Sequence, residues 1–417
     1  MILRWTAIVV LSYSCYLRKS LTTWILFSMV IGAEVGFDFP VFAQELKIVS
    51  QVFLKLIKTI IAPLIFGTLV VGIAGHADLK QVGRMGWKSL LYFEVVTTIA
   101  LFIGLLAINI SKAGVGIVLP PVTGGETLDV PPPSGWQQTI LHIFPENIAK
   151  SIAEGQVLQV VVFSILFAIG LALVKEPHKK NMLAFCESLT EVMFKFTAVV
   201  MYFAPFAVGA AIAYTVGHMG FGVLVNLFKL LATLYVALFA FILGVLLPVA
   251  LVIKLPIRRF LSAIAEPASI AFATTSSEAA LPVALEEMEK FGVPRKIAAF
   301  VLPAGYSFNL DGSTLYLSLA TIFVAQAAGI DLSIDQQILI LLTLMLTTKG
   351  IAGVPRASLV ILMGTATAFG LPVEPIFIIL GIDELMDMAR TTVNLIGNCL
   401  ASCVIAKWEG EANFVKE

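Results

Sequence analysis

Residues 381–398 read GIDELMDMARTTVNLIGN, set between the apolar runs IFIIL (376–380) and CLASCVIA (399–406). Apolar flanks of this kind predict a membrane-spanning helix. Yet the stretch carries Asp383, Glu384, Asp387, Arg390 and Asn394. At about 100° per residue, Asp383, Asp387, Arg390 and Asn394 fall three or four apart and share one helical face. A charge at mid-bilayer costs from about 2.5 kcal/mol to well over ~10 kcal/mol. Such groups persist only where they face a protein interior, a water-filled cavity or a ligand. A self-satisfied Asp–Arg pair gluing two helices would account for this stretch taken alone. The rest of the chain supplies partners that make sense around a substrate.

The chain has 417 residues, 59% hydrophobic and 13% charged, with a mean hydropathy of +0.97. Soluble domains hold about 45–50% apolar and about 25% charged residues. The composition therefore predicts an all-α polytopic membrane protein with little chain left for a soluble domain. A net charge of zero gives no reason to expect a nucleic-acid partner. Cys15, Cys186, Cys399 and Cys403 lie in or beside apolar segments and suggest buried small residues rather than a disulfide framework. His76, His142, His178 and His218 are scattered near loops and suggest no metal site.

Apolar segments are expected over about Thr22–Val35, Val49–Gly75, Leu90–Ile110, Ile148–Val174, Met182–Val216 (interrupted at Pro205) and Phe221–Leu255. Residues 1–17 are apolar with flanking basic residues and read as an interfacial lead-in. Basic links at 80–88, 175–180, 254–259 and 290–296 alternate with connections at 113–146, 217–220, 330–335 and 371–374 that hold no Lys or Arg. The positive-inside rule puts the first set in the cytoplasm, with both termini.

The spacing becomes abnormal after residue 257. From Arg259 to Lys290 there are too few residues for two spans of about 20 each. The middle, FATTSSEAALP (272–282), is small and polar and ends on the helix breaker Pro282. This predicts a re-entrant hairpin entering from the cytoplasm. From Asp335 to Pro372 the pattern recurs from the other side, around TTKGIAGVPRAS (347–358). Each hairpin is followed by a helix with polar residues at its centre: GYSFNLDGST (305–314) and then the stretch quoted first. Two hairpin–helix units in opposite orientation make an inverted repeat. Paired interrupted segments of this kind mark a transporter's binding site.

Four patches should converge at the midplane: Thr274–Ser277, Asn309–Thr314, Gly350–Ser358 and Asp387–Asn394. Half-helix N-termini suit a carboxylate. Unwound carbonyls around Asn309–Gly312 suit a small cation. Arg390 offers a planar fork for a second carboxylate, and Asp387 a partner for an ammonium. Two carboxylates and an amine describe an acidic amino acid. Each patch also has a bland explanation: backbone satisfaction at the Ser/Thr tip, a common turn at Asn309–Gly312, tight packing at the glycines.

At TSSEAALP (275–282), NLDGS (309–313), KGIAGVP (349–355) and DMARTTVN (387–394), and at APLIFGTLVVGIAG (62–75), the chain resembles the dicarboxylate/amino acid:cation symporters, the glutamate transporter homologues. The resemblance covers nearly everything after about residue 20. It implies eight transmembrane helices plus two re-entrant helical hairpins, a homotrimer and an elevator mechanism, with the second hairpin as gate. The corresponding division is a lead-in (1–20), scaffold helices 1–2 (21–75), transport-domain helix 3 (76–112), an extracellular loop with scaffold helices 4–5 (113–216), transport-domain helix 6 (217–256), the transport-domain core (257–407) and a C-terminal tail (408–417). Carried over, Arg390 binds the side-chain carboxylate and Asp387 the amine. Thr391 and Asn394 contact the amino-acid head. Ser276, Ser277, Ser313 (often Thr in the family) and the backbone at Gly353 and Val354 complete the site. The Asp at 387 favours an amino acid over succinate or malate, and the Arg at 390 disfavours neutral amino acids.

Departures from the family pattern bear on the coupling ion. Asn398 stands where sodium-coupled members carry an Asp ligand. Val96 replaces a hydroxyl residue, although Thr97 and Thr98 follow, and Phe93 replaces a Tyr. Asn309 and Asp311 remain. A hard cation needs several oxygens, so these changes weaken a sodium site. Glu94 meanwhile adds a titratable group whose burial would suit a proton carrier. Lys349 is also more typical of bacterial proton-coupled members. The candidates for ion coupling are thus Glu94, Thr97, Asn309, Asp311, Asn394 and Asn398, with a proton favoured and sodium the alternative. No cofactor and no metal site beyond a coupling cation is expected. The expectation is a multi-pass bacterial inner-membrane symporter for glutamate or aspartate, with a C4-dicarboxylate carrier as runner-up. An intramembrane enzyme would need a nucleophile–base pair or metal ligands, and no His or Cys constellation supplies one.

Overall fold

The computed structural model describes residues 4–6, 8, 12, 21–74, 81–117, 144–154, 157–220, 222–349 and 357–414. Its described elements are all helical, as the composition requires. They begin with α1 (Leu21–Asp38), α2 (Pro40–Glu45), α3 (Lys47–Ala74), α4 (Gln81–Ser111), α5 (Ile148–Ala153), α6 (Val157–Leu173), α7 (His178–Met201) and α8 (Ala204–Met219). Next come α9 (Gly222–Phe241), a π turn (Ile242–Leu246), α10 (Leu247–Val252), α11 (Ile257–Thr274) and α12 (Ser277–Phe291). The chain ends with α13 (Arg295–Phe308), α14 (Asp311–Ala327), α15 (Ile334–Thr347), α16 (Ala357–Ala368), α17 (Glu374–Leu380) and α18 (Asp383–Trp408).

Met85–Ser111 within α4, and Gly222–Val252, are long and apolar enough to cross a bilayer; α7 and α8 also meet that test as one span, bent by 49°. The bend falls where Pro205 opens α8. Proline fits the first turn of a helix but cannot continue one, because its ring clashes and it has no N–H. Pro248, near the start of α10, is handled differently. The preceding turn widens into the π form, which absorbs the missing donor without ending the span.

Two sets of helices emerge from the packing. In one, α8 packs on α1 and α3, and α3 packs on α6 and α7. The α1–α8 seam is built on small residues. A Cβ at Gly32 would strike the Gly209 carbonyl, and one at Gly36 would crowd Ala213 and Val216. Gly32 and Gly36, facing Gly209 and Ala213, are four apart on each helix. That spacing lets two backbones approach closely where lipid offers no hydrophobic drive to associate.

In the other set, α4 lies along α14 and α9, while α18 packs against α11, α13 and α14. Contacts between the sets are sparser and involve α15 with α6, α16 with α3, and α17 with α8. The first hairpin is α11 packed on α12. Its reversal sits at Thr275, which adopts a left-handed backbone (φ 52°), and Ser276 then caps α12 by accepting from the Ala279 N–H. Pro282, expected to break the hairpin, lies inside α12 instead. The second hairpin is α15 and α16, and its expected tip, with Gly353, Val354 and Arg356, lies outside the described residues.

Both helices that follow the hairpins are interrupted. The first breaks at Asn309–Leu310, between α13 and α14. The second, expected as one span, breaks at Gly381–Ile382 between α17 and α18. The chain end is fastened to this set. Lys88 donates to the Trp408 carbonyl and pairs with Glu409, Lys296 pairs with Glu411, and the Asn413 N–H reaches the Gly292 carbonyl. Phe414 packs its ring on Phe291 at 5.3 Å. At the N-terminal side, Arg4 pairs with Glu34 and Asp38 at the end of α1, and the Trp5 indole donates to Asp38.

Candidate functional site

The site is assembled where α18 crosses the break between α13 and α14. Arg390 is fully buried. Its Nη1 donates to Asp383 at 3.0 Å and its Nε to Asp387 at 2.9 Å. Its guanidinium lies over the Tyr316 ring, 4.2 Å from the centroid. Those contacts hold the fork in one orientation by hydrogen bonds, by charge and by a cation–π face. The buried Nη2 has no hydrogen-bond partner among the described residues. A buried guanidinium N–H left open is costly, and an anionic acceptor would satisfy it. The Thr391 hydroxyl donates to Asp387 at 3.1 Å, so Asp387, Arg390 and Thr391 act as one polar unit.

Asn394, one turn on, faces the start of α14. Its Oδ1 accepts from the N–H groups of Gly312 (2.8 Å) and Ser313 (3.1 Å), and its Nδ2 donates to Ser313 Oγ at 2.9 Å. The first turn of α14 has free backbone donors and no cap from its own chain neighbour, Leu310. Asn394 thus supplies that cap from another helix. This brings Ser313 and Asn394 together, as the sequence pattern anticipates, but commits most of the amide to the α14 terminus. A Cβ at Gly312 would collide with the Arg390 carbonyl, so the close approach of α14 to α18 needs a glycine there.

One further turn along, Asn398 joins Asn309 and Asp311. Asn309 Nδ2 donates to Asn398 Oδ1 at 3.1 Å and to Asp311 Oδ2 at 3.2 Å. All three side chains are fully buried. Asn309 Oδ1, Asp311 Oδ1 and Thr314 Oγ1 have no partner among the described residues. Orphaned buried oxygens of this kind are what a small hard cation requires. The cradle depends on Gly397, because a Cβ there would overlap Asp311 Oδ2.

The remaining coupling candidates lie on α4. Thr97 donates to the Phe93 carbonyl at 2.7 Å. Glu94 was expected to be buried. Instead its side chain is 46% exposed and pairs with Lys349 Nζ at 3.0 Å. Lys349 also donates to Thr97 Oγ1 at 2.9 Å. At the first hairpin, Ser277 is buried and Ser276 spends its oxygen on capping. Among the described residues, neither makes a hydrogen bond to the Arg390 cluster. Gly353 and Val354 lie outside the described residues.

Three residues of the site carry weaker signals in the sequence. Asp383 was legible only as a member of the polar face, and its role as the second anchor of Arg390 needed the fold. Tyr316 stands between Leu315 and Leu317, and nothing in that local pattern marks it as a partner of Arg390. Tyr92 presents a buried hydroxyl without a partner among the described residues.

The break is lined by a buried Arg, carboxylates and amides, with donors and acceptors left open among the described residues. Comparison with known proteins shows the family. The model of the sodium:dicarboxylate symporter family matches residues 21–408. The chain belongs to this family. It is therefore a membrane symporter and not an enzyme. A proton/sodium-glutamate symport protein of Bacillus caldotenax is 42% identical to this symporter over 407 residues, covering 95% of this chain and 96% of that protein. The proton/glutamate-aspartate symporter of Escherichia coli K12 is 42% identical over 412 residues, 94% of each chain. A C4-dicarboxylate transport protein of Bacillus subtilis is 40% identical over 405 residues, 96% of each.

Proposed function

We propose that this symporter carries acidic amino acids, glutamate or aspartate, inward across the bacterial cytoplasmic membrane, coupled to protons. The observation that carries the reading is the buried Arg390, pinned by Asp383 and Asp387 with its Nη2 open. The open donor receives the substrate's side-chain carboxylate. Asp387, beside it, receives the amine by exchanging part of its contact with Arg390. Thr391, Ser313 and Asn394 line the amino-acid head, with Ser276, Ser277 and the backbone at Gly353 and Val354 closing the site from the two hairpins. Named relatives transport glutamate, or glutamate and aspartate, at the identities given above.

The two sets of helices suit an elevator. The set holding α1, α3, α6, α7 and α8 would be the fixed scaffold, contacting its copies in a homotrimer. The set holding α4, α9 and α11–α18 would move with the substrate, and both termini would be cytoplasmic. Proton coupling is favoured by Asn398, an amide where sodium-coupled members carry a carboxylate. A second reading, C4-dicarboxylate transport, is favoured by the relative of that name.

Uptake of labelled aspartate and glutamate into proteoliposomes tests these readings, with pH and sodium gradients imposed separately. A pH gradient alone should drive uptake. Uptake driven by sodium alone would overturn proton coupling. Competition by succinate as strong as by unlabelled aspartate would overturn the amino-acid assignment.

A further inference from the structure

Lys349 stands at the end of α15, directly before the tip of the second hairpin. Its side chain is mostly buried, at 15% exposure. Three oxygens surround its ammonium: Glu94 Oε2 at 3.0 Å, Thr97 Oγ1 at 2.9 Å and the Phe308 carbonyl at 3.5 Å. Phe308 is the last residue of α13, where the backbone breaks before Asn309. The C-terminal end of a half-helix carries partial negative charge and freed carbonyls, which draw cations. The ammonium also interacts electrostatically with Asp311. A carboxylate, a hydroxyl, a helix-end carbonyl and a nearby buried carboxylate form the oxygen set expected of a monovalent cation site. Glu94, Thr97 and Asp311 are three of the six side chains that the sequence marks as coupling-ion candidates.

We propose that the Lys349 ammonium is a tethered cation, occupying from the foot of the second hairpin the oxygen-lined position beside the α13–α14 break that a free inorganic cation would otherwise fill. The inference rests on the symport reading above and deepens it. A cation supplied by the chain needs no binding from solution. Its charge holds the hairpin foot against α4 and the helix break through the three oxygens named. A merely structural salt bridge would use Glu94 alone. The Thr97 hydroxyl and the Phe308 carbonyl are what make the position a cation site.

Chemical rescue tests this. The purified full chain and its Lys349→Ala and Lys349→Met variants are compared in choline, sodium and propylammonium media. Two readouts are taken: the thermal unfolding midpoint in detergent and labelled-aspartate uptake in proteoliposomes. Wild type should respond to neither cation beyond an ionic-strength control. Lys349→Ala should lose up to about fivefold in uptake, the scale of a partly exposed ion pair, because Glu94, Thr97 and the Phe308 carbonyl lose their shared donor. Propylammonium, which replaces the deleted atoms, or sodium should restore several-fold of that loss and raise the midpoint. In Lys349→Met an uncharged stem of similar length fills the space of the lysine methylenes, so sodium should rescue but propylammonium should not. If neither variant shows a cation response that wild type lacks, in either readout, the proposal is overturned. Wild type that transports no acidic amino acid would refute the symport reading instead, and the midpoints would still decide the role of Lys349.

Discussion

Replacing Asn394 separates two roles that its position combines. Its Oδ1 satisfies the Gly312 and Ser313 N–H groups, and its Nδ2 reaches Ser313 Oγ. In Asn394→Ala those two backbone donors lose their partner in a buried site. Each orphaned donor costs about 1–3 kcal/mol, so the variant should be destabilised by about 2–6 kcal/mol, less whatever an entering water recovers. Asn394→Asp keeps both acceptor positions and loses only the donation to Ser313. A carboxylate at the N-terminus of α14 is also favoured by the helix dipole, by about 0.3–1 kcal/mol and up to ~2 kcal/mol when partly buried. Its stability should therefore stay near wild type. Thermal unfolding of the detergent-purified variants measures the first quantity, and calorimetric titration with aspartate measures the second. The expected order of midpoints is wild type close to Asn394→Asp, with Asn394→Ala well below. Aspartate affinity should fall in both if, as proposed, the Asn394 amide contacts the amino-acid head. An Asn394→Ala midpoint equal to wild type would refute the capping role.

Other perturbations test the remaining parts. Asp383→Asn leaves Arg390 with only Asp387 as a charged partner among those described. Breaking buried pairs costs about 3–5 kcal/mol; the surviving Asp387 contact should hold the loss towards the lower end, and calorimetry should show weaker aspartate binding. Gly397→Ala pushes a methyl into Asp311. It should cost about 1–3 kcal/mol and abolish uptake, whereas Gly222→Ala, with no neighbour within 4 Å of the new Cβ, should transport normally. Asn398→Asp places a second carboxylate within hydrogen-bond reach of Asn309 and adds an anionic ligand to the orphaned oxygens there. Uptake should then rise with sodium at neutral pH, and a sodium response no larger than wild type's would argue against a cation cradle at that position.

The helical class and the two interrupted units were legible because they are written locally. Charge alternation predicts which side each link faces, and the distance from Arg259 to Lys290 is too short for two spans. The Arg390 face was equally local, since a helix repeats every 3.6 residues. What the sequence hid depends on partners far along the chain. The reversal at Thr275 uses an ordinary threonine in a left-handed conformation, while the more conspicuous Pro282 sits inside a helix. The break at Gly381–Ile382 lies just before the polar face and looks like a continuous span on hydropathy. Glu94 looked buried because its helix is apolar, yet Lys349 meets it from 255 positions away at the rim of the packed core, a pairing no local pattern carries. The α1–α8 glycine seam was likewise silent, because GxxxG spacing gains meaning only when the facing helix is known.

The cap that Asn394 gives to α14 also bears on how the chain is made. The helix being capped and the residue that caps it are separated by 82 positions. At synthesis rates of about 5–20 residues per second, roughly 4–16 s pass between them. Throughout that interval the nascent first unit holds a helix terminus with open donors, in or beside a bilayer that cannot satisfy them. Insertion of the last helix is therefore the event that completes both the candidate site and the first broken helix. Chains that stop before residue 394 should present that terminus to membrane quality control as an unfinished fold, and full-length chains should not.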